Sequence, residues 1–261
     1  MKAFQRVCLA ILTATGLVFA DTAIPILADV RVKEHITFKD LQGSRQVNRT
    51  IEIKGLQMRI EDEASGTVMI YSVEDGKRFR FDARKKEVFV LDLLSASKSM
   101  EDAVTLKKLA RELRPSGKKS RIAGQECDEY TFELQAPYRS GAAPLTHLWD
   151  KGTACVSTVA AAGSDFSNFI REAMKRGYVR AVVPISPSLS PIGPYFFGQD
   201  ANLFVLGART ESSFKSEQIP PPRIPPAERK AIITEIKSDM ISDEDFQVPV
   251  DWKLKKDKDQ D

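Results

Sequence analysis

The sequence predicts an α+β fold, a large curved antiparallel sheet capped by about two or three helices, on three observations. Apolar and polar residues alternate at a period of two from residue 30 to residue 91. Short polar turns separate the alternating runs, and the period changes to three and four in two later stretches. A sheet of this size whose strands each bear one apolar face must curl or be covered, and amphipathic helices are natural covers.

Val30, Val32, Ile36 and Phe38 alternate with Arg31, Lys33, His35, Thr37 and Lys39, as in a strand with one wet face and one buried face. Beyond the Gln42-Gly43-Ser44 turn, Val47, Ile51 and Ile53 repeat the pattern up to Gly55. Met58 and Ile60 continue it to Ser65-Gly66, and Val68, Ile70 and Tyr71 open the next run. Asp75-Gly76 favours a tight hairpin turn, after which Phe79 and Phe81 alternate with Arg78, Arg80 and Asp82. A polar turn at 83–86 leads into Val88, Phe89, Val90 and Leu91.

A first helix is expected from Ser99 as its cap, with Asp102 near its positive end and Ala103, Leu106, Ala110 and Leu113 at helical spacing, stopped by Pro115 and Gly117. Strands follow at 121–135 and 145–157 around a turn at 136–144. A second helix starts near Ser164, places Phe166, Phe169, Ile170, Ala173 and Met174 on one face, and ends at Gly177. Pro184, Pro187, Pro191 and Pro194, with Ile192, Tyr195, Phe196 and Phe197 among them, exclude a regular central strand. Residues 202–214 and 230–241 read as closing strands, joined by a polyproline-like connector at 219–226. One domain is expected over 21–252, followed by a disordered charged tail at 253–261.

Residues 1–20 have the three zones of a cleavable signal peptide: a cationic start with Lys2 and Arg6, an apolar stretch from Val7 to Phe19, and the compact residues Val18 and Ala20. The apolar run is too short for a stable membrane span, and no later run is long enough. Cleavage after Ala20 is preferred to cleavage after Ala28, where Ile26 takes a position that favours a small residue. The expected mature protein is soluble and periplasmic or secreted. Without the leader its charge is close to balanced, which argues against nucleic acid as a partner.

The mature chain keeps Cys127 and Cys155, an even number in a compartment where disulfides persist. Their midpoint coincides with the centre of the intervening turn, near Gly141, so a symmetric hairpin would set them face to face. A disulfide is expected, with two separate buried thiols as the alternative.

No catalytic site is legible. His35 and His147 fall in alternating strand segments without a ligand cluster at metal spacing, and nucleophile elbows, phosphate loops and dinucleotide fingerprints are missing. Asp239, Asp243, Glu244 and Asp245 lack the oxygen-ligand loop of a calcium site and read as a solvated strand end. No metal and no cofactor are expected. Lys107, Lys108 and Arg111 read as the solvated face of the first helix, with contact to anionic lipid head groups as the alternative.

Several segments carry a resemblance when taken in order. These are Ile53-Lys54-Gly55 with Met58-Arg59-Ile60-Glu61, the short hairpins through Leu91, and residues 119–134 with Ile122-Ala123-Gly124 and Cys127. The last is the ending from Ile233 to Trp252 with Phe246, Val248 and Pro249. Their order resembles the LolA/LolB-like fold of periplasmic lipoprotein carriers, most closely an uncharacterised exported family within that group, over most of the mature chain. The resemblance implies a half-barrel sheet whose helices enclose space for acyl chains.

Two readings then stand open for Ile51, Ile53, Met58, Ile60, Val68, Ile70, Phe79, Phe81, Val88 and Val90: plain core, or the lining of a cavity for the acyl chain of a lipid or lipoprotein. Ile192, Tyr195, Phe196 and Phe197 are a candidate lid of that cavity. In a module without a small-molecule ligand the same loop would dock an envelope protein partner.

Overall fold

The computed structural model describes residues 29–103, 110–138, 146–158, 163–182, 204–216 and 225–257. The first half is a meander of six strands: β1 (Asp29–Asp40), β2 (Gly43–Lys54), β3 (Gln57–Asp62), β4 (Thr67–Ser72), β5 (Lys77–Asp82) and β6 (Glu87–Asp92). Helix α1 (Leu93–Ala103) leads to β7 (Ala110–Ile122), β8 (Gln125–Tyr138) and β9 (Thr146–Ser157). After α2 (Gly163–Lys175) and the single turn α3 (Val179–Val182) come β10 (Phe204–Ser216), β11 (Ala227–Asp239), a 3-10 turn (Asp243–Phe246) and β12 (Lys253–Lys256).

The twelve strands of the described residues form one curled sheet in the order β12-β6-β5-β4-β3-β2-β1-β11-β10-β9-β8-β7. Two meanders are thus joined at the centre by β1 and β11, and only β12, which runs parallel to β6, departs from the antiparallel pattern. Ladder irregularities at Lys33/Glu34, Val205/Gly207 and Pro115/Lys119 bend the strands they interrupt. Gly207 permits one close approach: a Cβ there would stand 3.0 Å from Ile122 Cδ1, where the β7–β8 hairpin tip folds over the sheet. Gly76 permits another, since a Cβ there would stand 2.7 Å from the Tyr178 hydroxyl and its φ of +65° suits glycine.

The first helix departs from the expected one. It begins at Leu93, where the Asp92 carboxylate accepts the Ser95 N–H at 2.8 Å and caps the turn, and it ends at Ala103. The helical spacing of Ala110 and Leu113 is overridden by pairing of Ala110–Ile122 with β8, and Pro115 sits at the ladder irregularity instead of stopping a helix. Arg111 therefore lies on a strand. The second helix buries its expected face and ends at Lys175, just before Gly177 with its φ of +78°.

The charged ending also departs from expectation. Lys253–Lys256 pair with β6, and Asp257, 2% exposed, bridges Arg78 Nη2 at 3.0 Å and Arg80 Nη2 at 3.3 Å. Burial opposes ionisation of Asp257, but the hydrogen bonds from Arg80 and Arg78 outweigh it and hold the carboxyl below its ordinary range. A free strand edge together with two guanidinium partners orders a segment that its charge alone would leave in water. Residues 1–28, with the expected signal peptide, lie outside the described residues, as do residues 258–261.

Candidate functional site

Strand register assigns every side chain to one of two faces. On the face that carries the helices stand Val30, Val32, Ile51, Ile53, Met58, Ile60, Tyr71 and Leu91, which join one buried cluster with Leu93, Ala96, Phe166, Phe169, Ile170, Ala173, Ala181 and Val182 of the helices. Phe166 meets Phe204 edge to face, centroids 5.8 Å apart, and Ser97 Oγ accepts the Ala181 N–H at 3.1 Å, fixing α3 against α1.

The ten candidate cavity residues do not share a face. Ile51, Ile53, Met58 and Ile60 are on the helix side. Val68, Ile70, Phe79, Phe81, Val88 and Val90 pair with one another on the opposite side of β4, β5 and β6. There Ile70 forms a second buried cluster with Ile241 and Phe246, against which Val68, Phe79 and Phe81 pack, and Trp252 meets Phe81 edge to face at 5.8 Å. The segment from 240 to 252 is therefore a strap over the outer face, seated on Val68, Ile70, Phe79 and Phe81. Alternation alone could not separate the sets, because apolar residues occupy both faces of β4. Ile192, Tyr195, Phe196 and Phe197 lie outside the described residues.

Further along the helix-side face, away from the helices, polar groups appear at apolar positions. Glu34, 1% exposed, stands between Val32 and Ile36 on β1, opposite Arg49 on β2. Arg229 of β11 lies opposite Phe38 and Thr210, and Asp150 of β9 opposite Ser212 and Leu134. The Phe38 ring has a guanidinium from each flanking strand, Arg45 at 4.9 Å and Arg229 at 5.4 Å from its centroid, and Arg80 lies 4.5 Å from the centroid of Phe89. Arg45 and Arg229, with Phe38 between them, thus form an arginine band over β2, β1 and β11. The signal that could have found it is a charged residue in apolar register: Glu34 beside Val32, and Arg229 beside Ala231 and Ile233.

The band is not a closed set of ion pairs. Arg229 Nε and Asp150 Oδ1 are buried without a hydrogen-bond partner. Burial pulls the Arg229 pKa down to about 10, against the attraction of Glu34 and Asp150. Burial also pushes the Asp150 carboxyl up, opposed by a hydrogen bond with Ser212 and by the Arg229 charge. The outer face shows what a closed network looks like. Arg31 Nε and Arg59 Nη1 hold the two oxygens of buried Glu52 at 2.8 and 3.0 Å, while their remaining arms reach Asp239 and Glu61, each at 2.7 Å. Asp239 and Asp243 are likewise engaged by Arg31 and Lys54.

The raised Asp150 pKa has a testable sign. Native protein holds a proton that unfolded chain releases nearer the ordinary carboxyl value of 3.8, so this group's contribution to stability falls as pH rises from that value through the native pKa. Asp150→Asn is therefore expected to be more stable than wild type at neutral pH and to lose that part of the pH slope. Urea midpoints between pH 4 and 8 check this, and identical slopes in the two proteins would contradict it.

Among the described residues no group of three or more His, Cys, Asp or Glu side chains could hold a metal, and no helix is long and apolar enough to cross a membrane. His35 Nδ1 lies 2.7 Å from Asn48 Oδ1 across the β1–β2 pair. Cys127 and Cys155 form a disulfide with Cα atoms 5.3 Å apart. In the β8–β9 register Cys155 faces Glu129, so the bridge is diagonal rather than directly opposite, the hairpin centre being shifted slightly from Gly141.

No protein-family model matches the chain, and no curated protein does. Among solved structures it is similar to one described as an outer membrane lipoprotein-sorting protein domain from Vibrio parahaemolyticus, at 7% identity and a TM-score of 0.36, over 85% of this chain and 90% of that one. It is similar to the LolA superfamily protein NE2245 from Nitrosomonas europaea at 10% identity and a TM-score of 0.30, over 85% and 91%. It also matches PNGF-II at 10% identity and a TM-score of 0.33, over 88% of this chain but 32% of that one. The first two matches span most of both chains.

Proposed function

We propose that the protein is an exported, periplasmic binding or carrier protein for a hydrophobic ligand, the acyl chain of a lipid or lipoprotein, held against the helix-side face of the sheet. One observation supports this reading above the others: the apolar character of that face continues beyond the helix-packed cluster. Phe38, Val47 and Phe89 extend it as half-buried side chains among arginines. A face needed only for the helices would become polar where they end, as on any strand with one solvated side.

The test is saturable uptake of a fluorescent long-chain fatty acid by the purified protein. Binding with a micromolar Kd is expected, and Ile51→Asp, which puts a carboxylate into the helix-side cluster, is expected to weaken it a hundredfold or more in protein that stays folded by circular dichroism. Absence of saturable uptake of any long-chain probe by wild type would end the carrier reading and favour an envelope interaction module.

A further inference from the structure

We infer that the ligand is an anionic amphiphile, and that Arg229 receives its negatively charged oxygens, carboxylate or phosphate, at the arginine band while the chain lies along the apolar part of the same face. The inference rests on the carrier reading and specifies the polar end of its ligand.

Three observations carry it. First, Arg229 is a cation in a largely dry place with an unmade donor: its Nε is buried without an acceptor, and one side of its guanidinium lies over Phe38. Burying a charge without a hydrogen-bonded counterion is costly, and proteins that use arginine only for structure close the pair, as Arg31, Arg59 and Glu52 do on the outer face. Second, the charges around Arg229 are mixed: Glu34 and Asp150 attract it through space, while Arg49 adds a charge of its own sign. Asp150 keeps one oxygen without a partner, and burial raises its carboxyl pKa, which lessens its opposition to an incoming anion. Third, the position joins apolar surface directly. Phe38 and Ile36 lie across β1 from Arg229 and Ala231, and Ala231 leads to Ile233 in the helix-packed cluster. A planar guanidinium beside an apolar lane matches a carboxylate or phosphate attached to a hydrocarbon chain, because two parallel N–H donors fit two oxygens.

The test uses the mature protein, a pyrene-labelled hexadecanoate, its methyl ester, and inorganic phosphate alone. Wild type is expected to bind the acid at least tenfold tighter than the ester, with the difference shrinking as salt is raised. Arg229→Gln is expected to bring the acid to the level of the ester, and Arg229→Lys to recover part of the preference. Arg209→Gln, on the opposite face, is expected to change neither. Equal binding of acid and ester by wild type would overturn the inference while leaving the carrier reading standing, and this comparison decides even if Arg229→Gln fails to fold. An acid preference that survives Arg229→Gln would overturn the assignment to Arg229. Arg229-dependent binding of phosphate with no uptake of either pyrene probe would overturn the amphiphile and mark a plain anion site. No binding of any of the three would remove both the inference and the reading beneath it.

Discussion

Replacing Cys127 and Cys155 together by alanine is expected to lower the stability of the folded protein by about 3 to 4 kcal/mol, the loss of loop-closure constraint for cysteines 28 residues apart. The bridge ties the β7–β8 hairpin to β9, and its tip, through Ile122, lies against Gly207 of β10. The loss should therefore be local as well as global, with amide exchange accelerating first at 119–127. Denaturant midpoints with and without reductant give the size, and two free thiols on alkylation of unreduced, denatured protein would show that the bridge is not formed.

Phe79→Asp is expected to release the strap over the outer face at a cost of about 3 kcal/mol, combining lost apolar packing with an unpaired carboxylate against apolar side chains. Phe79 packs on the cluster of Ile70, Ile241 and Phe246, and through that cluster it holds the segment that leads to β12. Hydrogen exchange should rise across 240–257 while β1 and β2 keep their protection, and uptake of a fatty acid should persist. Uniform loss of protection would show that strap and sheet unfold as one unit. Loss of uptake with the fold intact would place the ligand on the outer face.

The meander was legible because each hairpin is local: alternation and turn residues such as Asp75-Gly76 lie within a few positions of the ladders they predict. The facing of β4 to β6 was not, since the cover that buries Phe79 and Phe81 comes from residues 240–252, far along the chain. The same holds for Ala110–Ile122, where three residues at helical spacing were outweighed by a strand partner. The arginine band joins Arg45, Phe38 and Arg229 through two different strand pairings. Only residue parity within each strand hinted at it, and parity identifies a charged residue in apolar register without naming its neighbours.

The pairing of β1 with β11 sets an order on assembly. Asp29 lies beside Asp239, so β1 offers an unpaired edge until β11 has been made. Each meander can zip up from its own hairpins, whereas the seam between them must wait for ends separated by about two hundred residues, a slow closure in any chain. Until that seam closes, the free edges of β1 and β11 match each other and equally match the same strands of a second molecule. Exchange of the last strands between two copies is the characteristic error of such a design, and crowding during synthesis favours it.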